Sequence, residues 1–210
     1  TIYLRKGMKW SDGTPLTVED VLFAWEDVYL NEKITPMIPT MFCTDNEPMK
    51  VVPVDKYTFR MTFTEPYGSL AYFLTRTHKT FSLVLPKHYL KRYHPRYTPS
   101  EILDEMAKER GFEFWFELFK DVNFSHSALS AKVPPDYPTL QPWRVAKTPA
   151  IGHVILERNP YYWQVDPEGN QLPYIDRIHY TVVHNVEMLN LKAMNGESDN
   201  QGHYLQTPKY

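Results

Sequence analysis

The sequence predicts a mixed fold, α/β in the broad sense (mixed α+β), and three observations predict it. Apolar side chains alternate with polar ones along residues 1–5, 57–64 and 175–183, the period of half-buried strands. Between these runs, residues 17–29, 98–110, 112–120 and 185–195 carry apolar side chains at helical spacing. Residues of the AVILMFWYC set make up 42% and charged residues 23%, which is neither a disordered nor a membrane composition. No apolar run approaches the roughly 18 residues of a membrane helix. A chain of 210 residues needs no disulfide or metal to fold, and the single cysteine, Cys43, rules out an intrachain disulfide. Cys43 reads as a small buried apolar residue.

Each element has a local reason. Ile2 and Leu4 share one face of the opening strand, with Tyr3 and Arg5 on the other. Ser11-Asp12-Gly13 is a turn. Thr17 is an N-cap with Glu19 and Asp20 in the first turn, and Val18, Leu22, Trp25 and Tyr29 form an apolar stripe. Residues 31–49, with Pro36, Pro39 and Pro48, read as irregular. Lys50–Thr64 reads as a hairpin turning at Asp55-Lys56, and Pro53 places its arm at a sheet edge. A short helix is expected over 69–76 and another from Pro86. Thr98-Pro-Ser-Glu101 has the pattern of a capped helix start, and Gly111 that of a stop. Phe112, Trp115, Phe116 and Phe119 continue at helical spacing, with Phe114 and Leu118 making that segment apolar nearly all round. Pro134, Pro135, Pro138 and Pro142 mark an extended crossover and the expected internal boundary, with units 1–132 and 133–210. Strands follow near 143–146 and 153–158, a turn at Asp166–Asn170, and a helix capped by Asn185 and stopped by Gly196.

The same residues narrow the function. Lys and Arg number 23 against 25 Asp and Glu, so the chain lacks the positive excess that would attract a phosphate backbone, and nucleic acid is not an expected partner. The sequence has no Gly-rich phosphate loop, no nucleophile elbow and no His-Glu-x-x-His zinc helix, so neither an enzyme nor a cofactor is expected. His88 and His94, and His179 and His184, lack the i, i+4 spacing of a helical metal site. Asp166, Glu168 and Asn170 resemble a calcium loop without its terminal Glu and read as a turn. Asp104, Glu105, Glu109, Glu113 and Glu117 read as a solvated helix face. Asn123-Phe-Ser125 is a glycosylation sequon of the kind that occurs by chance. Aromatic residues reach 15%, which suits either wet binding clefts or a β-rich core of large residues.

Several segments resemble the extracellular solute-binding proteins of family 5, the peptide and nickel receptors of ABC importers. Tyr3–Trp25 resembles the family's opening strand, Trp-Ser-Asp-Gly turn and capped helix. Asp55-Lys-Tyr-Thr-Phe59, Leu85-Pro-Lys-His88, Glu157-Arg-Asn-Pro-Tyr-Tyr-Trp163, Asp176-Arg-Ile178 and Gly196-Glu-Ser-Asp199 follow in the family's order and spacing. The resemblance implies a type II periplasmic-binding-protein fold, with 1–132 as the extra subdomain of the first lobe and 133–210 as part of a ligand-binding lobe. It implies capture of a solute outside the membrane for an ABC permease, most often a peptide, by a monomer without a cofactor. Attachment to the membrane would be through an anchor, as in a lipoprotein. Thr1 is not an initiator Met, and the chain is expected to be a piece of a longer protein. A ligand-sensing domain of a transcription regulator is the alternative of another class.

The resemblance also implies site residues. Where relatives show Gly-Thr-Gly-Pro-Tyr, this chain has Thr139-Leu-Gln-Pro-Trp143, and the Asp166–Tyr174 insertion resembles a branch with oligosaccharide receptors. Trp143 therefore suits stacking on a sugar and equally suits a lobe core. The Pro36–Phe42 loop matches the place where long peptide receptors lay an aromatic on the ligand, and here it offers Met37, Met41 and Phe42, against a simple packing role.

Overall fold

The helix that follows Thr17 is the spine of the first half of the chain. A computed structural model describes residues 1–72, 82–123, 133–146, 153–183 and 185–200. Thr17 is extended, and its backbone N–H donates to Asp20 Oδ2 at 3.0 Å, so the acid of the first turn satisfies a donor that a helix start would leave open. Helix α1 (Val18–Leu22) runs without a break into a π-helix over Phe23–Tyr29, closed by the Leu30 N–H to Trp25 O bond at 3.0 Å. Val18, Val21, Phe23, Ala24, Trp25, Val28 and Tyr29 are all buried, while Leu22 is only half-buried. The expected one-sided stripe is thus a helix buried nearly all round. The wider π turn shifts the register, and the helix is packed from two sides.

On one side lies an antiparallel sheet of β1 (Ile2–Tyr3), β4 (Lys50–Asp55) and β5 (Thr58–Thr62), in the order β1-β5-β4. Phe59 packs with Val18 and Val21, joined by Ile2, Leu4 and Met61. Pro53 sits on the edge strand β4, where its missing N–H removes no interior ladder bond. Between the helix and this sheet, residues 31–49 are more ordered than expected. They hold a 3-10 turn at Thr40–Phe42 and a small ladder of β2 (Cys43–Thr44) and β3 (Glu47–Pro48). Asp45 and Asn46 turn that ladder with φ of 50° and 60°, which their short polar side chains tolerate. Cys43 is half-buried, not fully buried, because it lies on this two-stranded ladder at the surface.

On the other side lie α2 (Lys87–Leu90) with a 3-10 turn at Lys91–Tyr93, then α3 (Ser100–Glu109) and α4 (Trp115–Val122). The Thr98 hydroxyl, expected to cap α3, instead donates to the carbonyls of Arg92 at 3.1 Å and Lys91 at 3.4 Å, and extended Pro99 precedes the helix. Gly111, at φ +80°, ends α3, with Phe112 N–H returning to Ala107 O at 2.9 Å. Glu117 is not part of a solvated face. Its carboxylate accepts the N–H groups of Glu113 and Phe114, each at 3.1 Å, which is why α4 starts at Trp115 and not at Phe112.

The proline-rich stretch then crosses the molecule with Val133, Tyr137 and Pro138 buried, and delivers β6 (Trp143–Val145), β7 (His153–Arg158) and β8 (Arg177–Thr181). These form a second antiparallel sheet in the order β6-β7-β8. One apolar cluster joins Phe23, Phe42, Leu90 and Phe119 to Tyr137, Val145, Val154 and Leu156, so the two sides of the crossover share a core. The Asn185 side chain caps α5 (Val186–Met194) by accepting Met188 N–H at 2.7 Å; none of its residues is buried, and Met188, Leu191 and Met194 are exposed. Of the helix expected over 69–76, residue 69 is in a turn and 70–72 are helical; 73–76 lie outside the described residues, as do His184, Phe124 and Ser125.

A polar joint ties the opening turn to the second sheet. Ser11 N–H donates to Thr139 O at 3.0 Å, and Thr139 N–H donates back to Ser11 Oγ at 3.0 Å. Fully buried Asn159 donates to Gln141 O at 3.0 Å and accepts the Tyr161 N–H at 2.9 Å. Tyr161 thereby lies over Gly13, where a Cβ would meet its hydroxyl at 3.1 Å, and Gly13 itself has φ +90°. Gly13→Ala should therefore destabilise the protein by about 1–3 kcal/mol in denaturant unfolding, through the positive φ and the crowding together. Gly7→Ala, at φ +88° but with open space, should lose measurably less. Equal losses would show that contact with Tyr161 adds nothing.

Candidate functional site

The loop after the π-helix is pinned at both ends. Ile34 and Thr35 N–H groups donate to Asn31 O at 3.0 and 2.7 Å, and Thr35 Oγ1 donates to Val28 O at 2.8 Å. At the far end Met49 N–H donates to Phe42 O at 2.8 Å. Between these ties, Met37 is 80% exposed. Met41 and Phe42 are buried, with Phe42 edge-on to Trp25 and Tyr29 at ring separations of 5.8 and 5.1 Å. The structure thus places Met41 and Phe42 in the main core, Trp143 against the same core, and Met37 outside it.

Trp143 opens β6, opposite Arg158, and is half-buried. Its indole Nε1–H donates to Ile175 O at 3.0 Å, which fixes the ring plane while part of the ring stays open to solvent. Next to it Arg144 meets Glu157 across the β6-β7 ladder at 2.5 Å. The arrangement offers an oriented, half-open indole on a sheet.

Around the spine helix lie polar groups whose burial and pairing the sequence reading did not anticipate. Asp20 is buried and accepts backbone N–H groups from Thr17 and Lys87 at 3.0 and 3.1 Å; burial raises its pKa in spite of those bonds. Asp27 is also buried and accepts Arg96 Nη1–H at 2.8 Å and Tyr97 O–H at 2.6 Å. Burial and that carboxylate push the Tyr97 phenol up to about 12. The sequence signal was present but ambiguous: of the acids at 19, 20, 26 and 27, Asp27 lies between Trp25 and Tyr29 of the apolar stripe, where burial would demand a partner. His88 Nε2 lies 2.7 Å from Asp12 Oδ2; burial works against ionisation of Asp12, but the Thr14 N–H and His88 hold its carboxyl below the usual range.

No three His, Cys, Asp or Glu side chains come together as metal ligands among the described residues. His88 and His94 belong to different clusters, one with Asp12 and the other with the Asp27 backbone. Asp166 accepts Asn170 N–H at 2.7 Å, Asn170 Nδ2–H at 2.9 Å and the Tyr174 hydroxyl, so its oxygens are taken up by the turn itself. Among the described residues no helix is long and apolar enough to cross a membrane.

Comparison with known proteins agrees with this scaffold. The family model of the bacterial extracellular solute-binding proteins, family 5 Middle, matches residues 1–208. The periplasmic alpha-galactoside-binding protein of Rhizobium meliloti (strain 1021) is 32% identical over 183 residues, 86% of this chain and 23% of that protein. A solved structure of an oligopeptide-binding protein OppA superposes with a TM-score of 0.81 at 42% identity, covering 95% of this chain and 30% of that one. The periplasmic binding protein MelB of Agrobacterium fabrum C58, in complex with stachyose, superposes with a TM-score of 0.66 at 27% identity, covering 94% of this chain and 26% of that one. The chain thus spans between a quarter and a third of the solved relatives, and slightly under a quarter of the alpha-galactoside-binding protein. With a match over nearly its whole length, and with the fold of a type II periplasmic binding protein, the chain belongs to family 5 of the bacterial extracellular solute-binding proteins.

Proposed function

We propose that the protein containing these residues captures a solute outside the cytoplasmic membrane, in the periplasm or at the outer face, and delivers it to the permease of an ABC importer. The observation that carries the reading is the 42% identity and TM-score of 0.81 with an oligopeptide-binding protein over 95% of this chain. Oligopeptide is accordingly the first ligand class. The mechanism is closure of two lobes on the ligand, a population shift without covalent chemistry, and the protein acts as a monomer without enzymatic activity or cofactor. Residues 1–132 act as the extra subdomain of the first lobe and 133–210 as part of its ligand-binding portion.

Oligosaccharide is the second reading. It is favoured by the relative named for alpha-galactosides and by the half-open Trp143 ring, a flat apolar face of the kind that packs on a sugar. In either case Trp143 and Met37 are the proposed ligand contacts, and Met41 and Phe42 hold the loop that presents Met37.

A thermal-shift screen of the full-length protein with peptide and oligosaccharide panels decides between the classes. A ligand at 100 times its Kd stabilises the native state by about 2.7 kcal/mol and raises the melting temperature accordingly. Shifts with sugars alone would replace the peptide reading, and hydrolysis of any panel member would overturn the receptor reading. Trp143→Ala should weaken the ligand so identified about tenfold or more, ~1.4 kcal/mol, in calorimetric titration. Phe42→Ala should instead lower unfolding free energy by about 3–5 kcal/mol, with the affinity of the folded protein unchanged. An unchanged affinity in Trp143→Ala would make that residue part of the lobe core only.

A further inference from the structure

We propose that His94 is an acid-sensitive latch: uncharged, it ties the 91–98 connector to the end of the π-helix, and on protonation it lets that connector go. The proposal stands apart from the identity of the ligand.

The hydrogen bonds fix the state of the ring. His94 Nδ1 accepts the backbone N–H of Arg96 at 3.3 Å, so this nitrogen carries no proton. The proton then resides on Nε2, which donates to the carbonyl of Asp27 at 3.1 Å. Both ring nitrogens are engaged only in the neutral form. A second proton, on Nδ1, would point at the Arg96 N–H and abolish that bond. The ring has little alternative room. It is 4% exposed and lies among Phe23, Trp115, Phe119 and Tyr97 at centroid distances of 5.6–6.1 Å.

The charged groups around it do not rescue the protonated form. The Asp27 carboxylate is held by Arg96 at 2.8 Å and by the Tyr97 hydroxyl, and Glu26 also faces Arg96 at 3.5 Å. Lys87, from α2, is bound to Glu19 at 2.6 Å and lies over the Tyr97 ring. On α4 the rings of Trp115 and Phe119 meet the imidazole edge-on. Glu117 closes its own helix start, Lys120 lies over Phe116, and Asp121 faces Arg110. Burial pushes the His94 pKa below its ordinary value; Asp27 pulls it back and Arg96 pushes it further down. Proton uptake is therefore favoured in the opened state. The latch is complete above about pH 6.5, the ordinary histidine value, and weakens as pH falls from there toward the lower folded value.

The consequence falls on the connector itself. Next to the Arg96 bond to the ring, Tyr97 and Thr98 N–H groups donate to His94 O at 3.0 and 3.1 Å. The Asn31 amide nitrogen, 3.4 Å from His94 Nε2, stands donor to donor and makes no bond to the ring, so Asp27 O alone joins the imidazole to the end of the π-helix.

The test is hydrogen exchange of the Arg96, Tyr97 and Thr98 amides in the full chain from pH 7.5 to 5, corrected for intrinsic rates, with imidazole NMR of His94. The expected result is an Nε2–H tautomer at pH 7.5 and a loss of protection of up to about tenfold per pH unit below pH 6.5. His94→Gln, which can donate and accept at the same places without titrating, should flatten that dependence. Protection that stays flat in the unmodified chain, or an Nδ1–H tautomer, overturns the proposal even if His94→Gln fails to fold. An identical pH dependence in a folded His94→Gln overturns it as well.

Discussion

The burial of one helix from both sides sets the terms for the rest of the structure. Residues 18–29 meet the β1-β5-β4 sheet through Val18 and Val21, and the α2–α4 side through Phe23, while Trp25 and Tyr29 receive Phe42 from the following loop. A regular α-helix presents a single stripe and would leave part of this apolar surface in water. The π segment enlarges the ring of buried positions. Two carboxylates, Asp20 and Asp27, are buried along with it, which is tolerable only because rigid donors wait for them: backbone N–H groups for the first, a guanidinium and a phenol for the second. The connector 86–98 is therefore held by polar bonds of defined direction as well as by apolar contact.

The second sheet is attached by a different chemistry. Tyr137, Val145, Val154 and Leu156 extend the same apolar cluster, but the orientation of the sheet is set by the bonds among Ser11, Thr139 and Asn159. Hydrogen bonds fix direction where apolar contact does not. If Trp143 is the ligand contact proposed above, a scaffold presenting it at a constant angle gains more from such a joint than from additional area.

Much of this was legible in the residues. The hairpin, the edge position of Pro53, the Asn185 cap and the stops at Gly111 and Gly196 follow from backbone rules that act within a few residues. The family motifs Tyr3–Trp25 and Glu157–Trp163 pointed to the fold and the family, since their order and spacing are specific. What escaped notice depends on contacts distant in the chain. Thr98 does not cap because the carbonyls of Lys91 and Arg92 stand nearer to its hydroxyl. The π-helix answers to a second packing surface that no local pattern reveals. Of the residues read as ligand contacts, Phe42 lies in the core because Trp25 and Tyr29, thirteen and more residues earlier, leave a slot for its ring. The sequence motif marks the loop, and only the packing separates its outward methionine from its inward phenylalanine.

The apolar outer side of α5 bears on how these residues behave in the laboratory. Met188, Leu191 and Met194 face water together, close in sequence to β8, an edge strand of its sheet. Among the described residues β8 pairs on one side only, and an unpaired strand edge or an exposed apolar patch is a template for intermolecular contact. Preparations of these 210 residues alone should self-associate as concentration rises, and polar replacements on that helix are the rational first remedy.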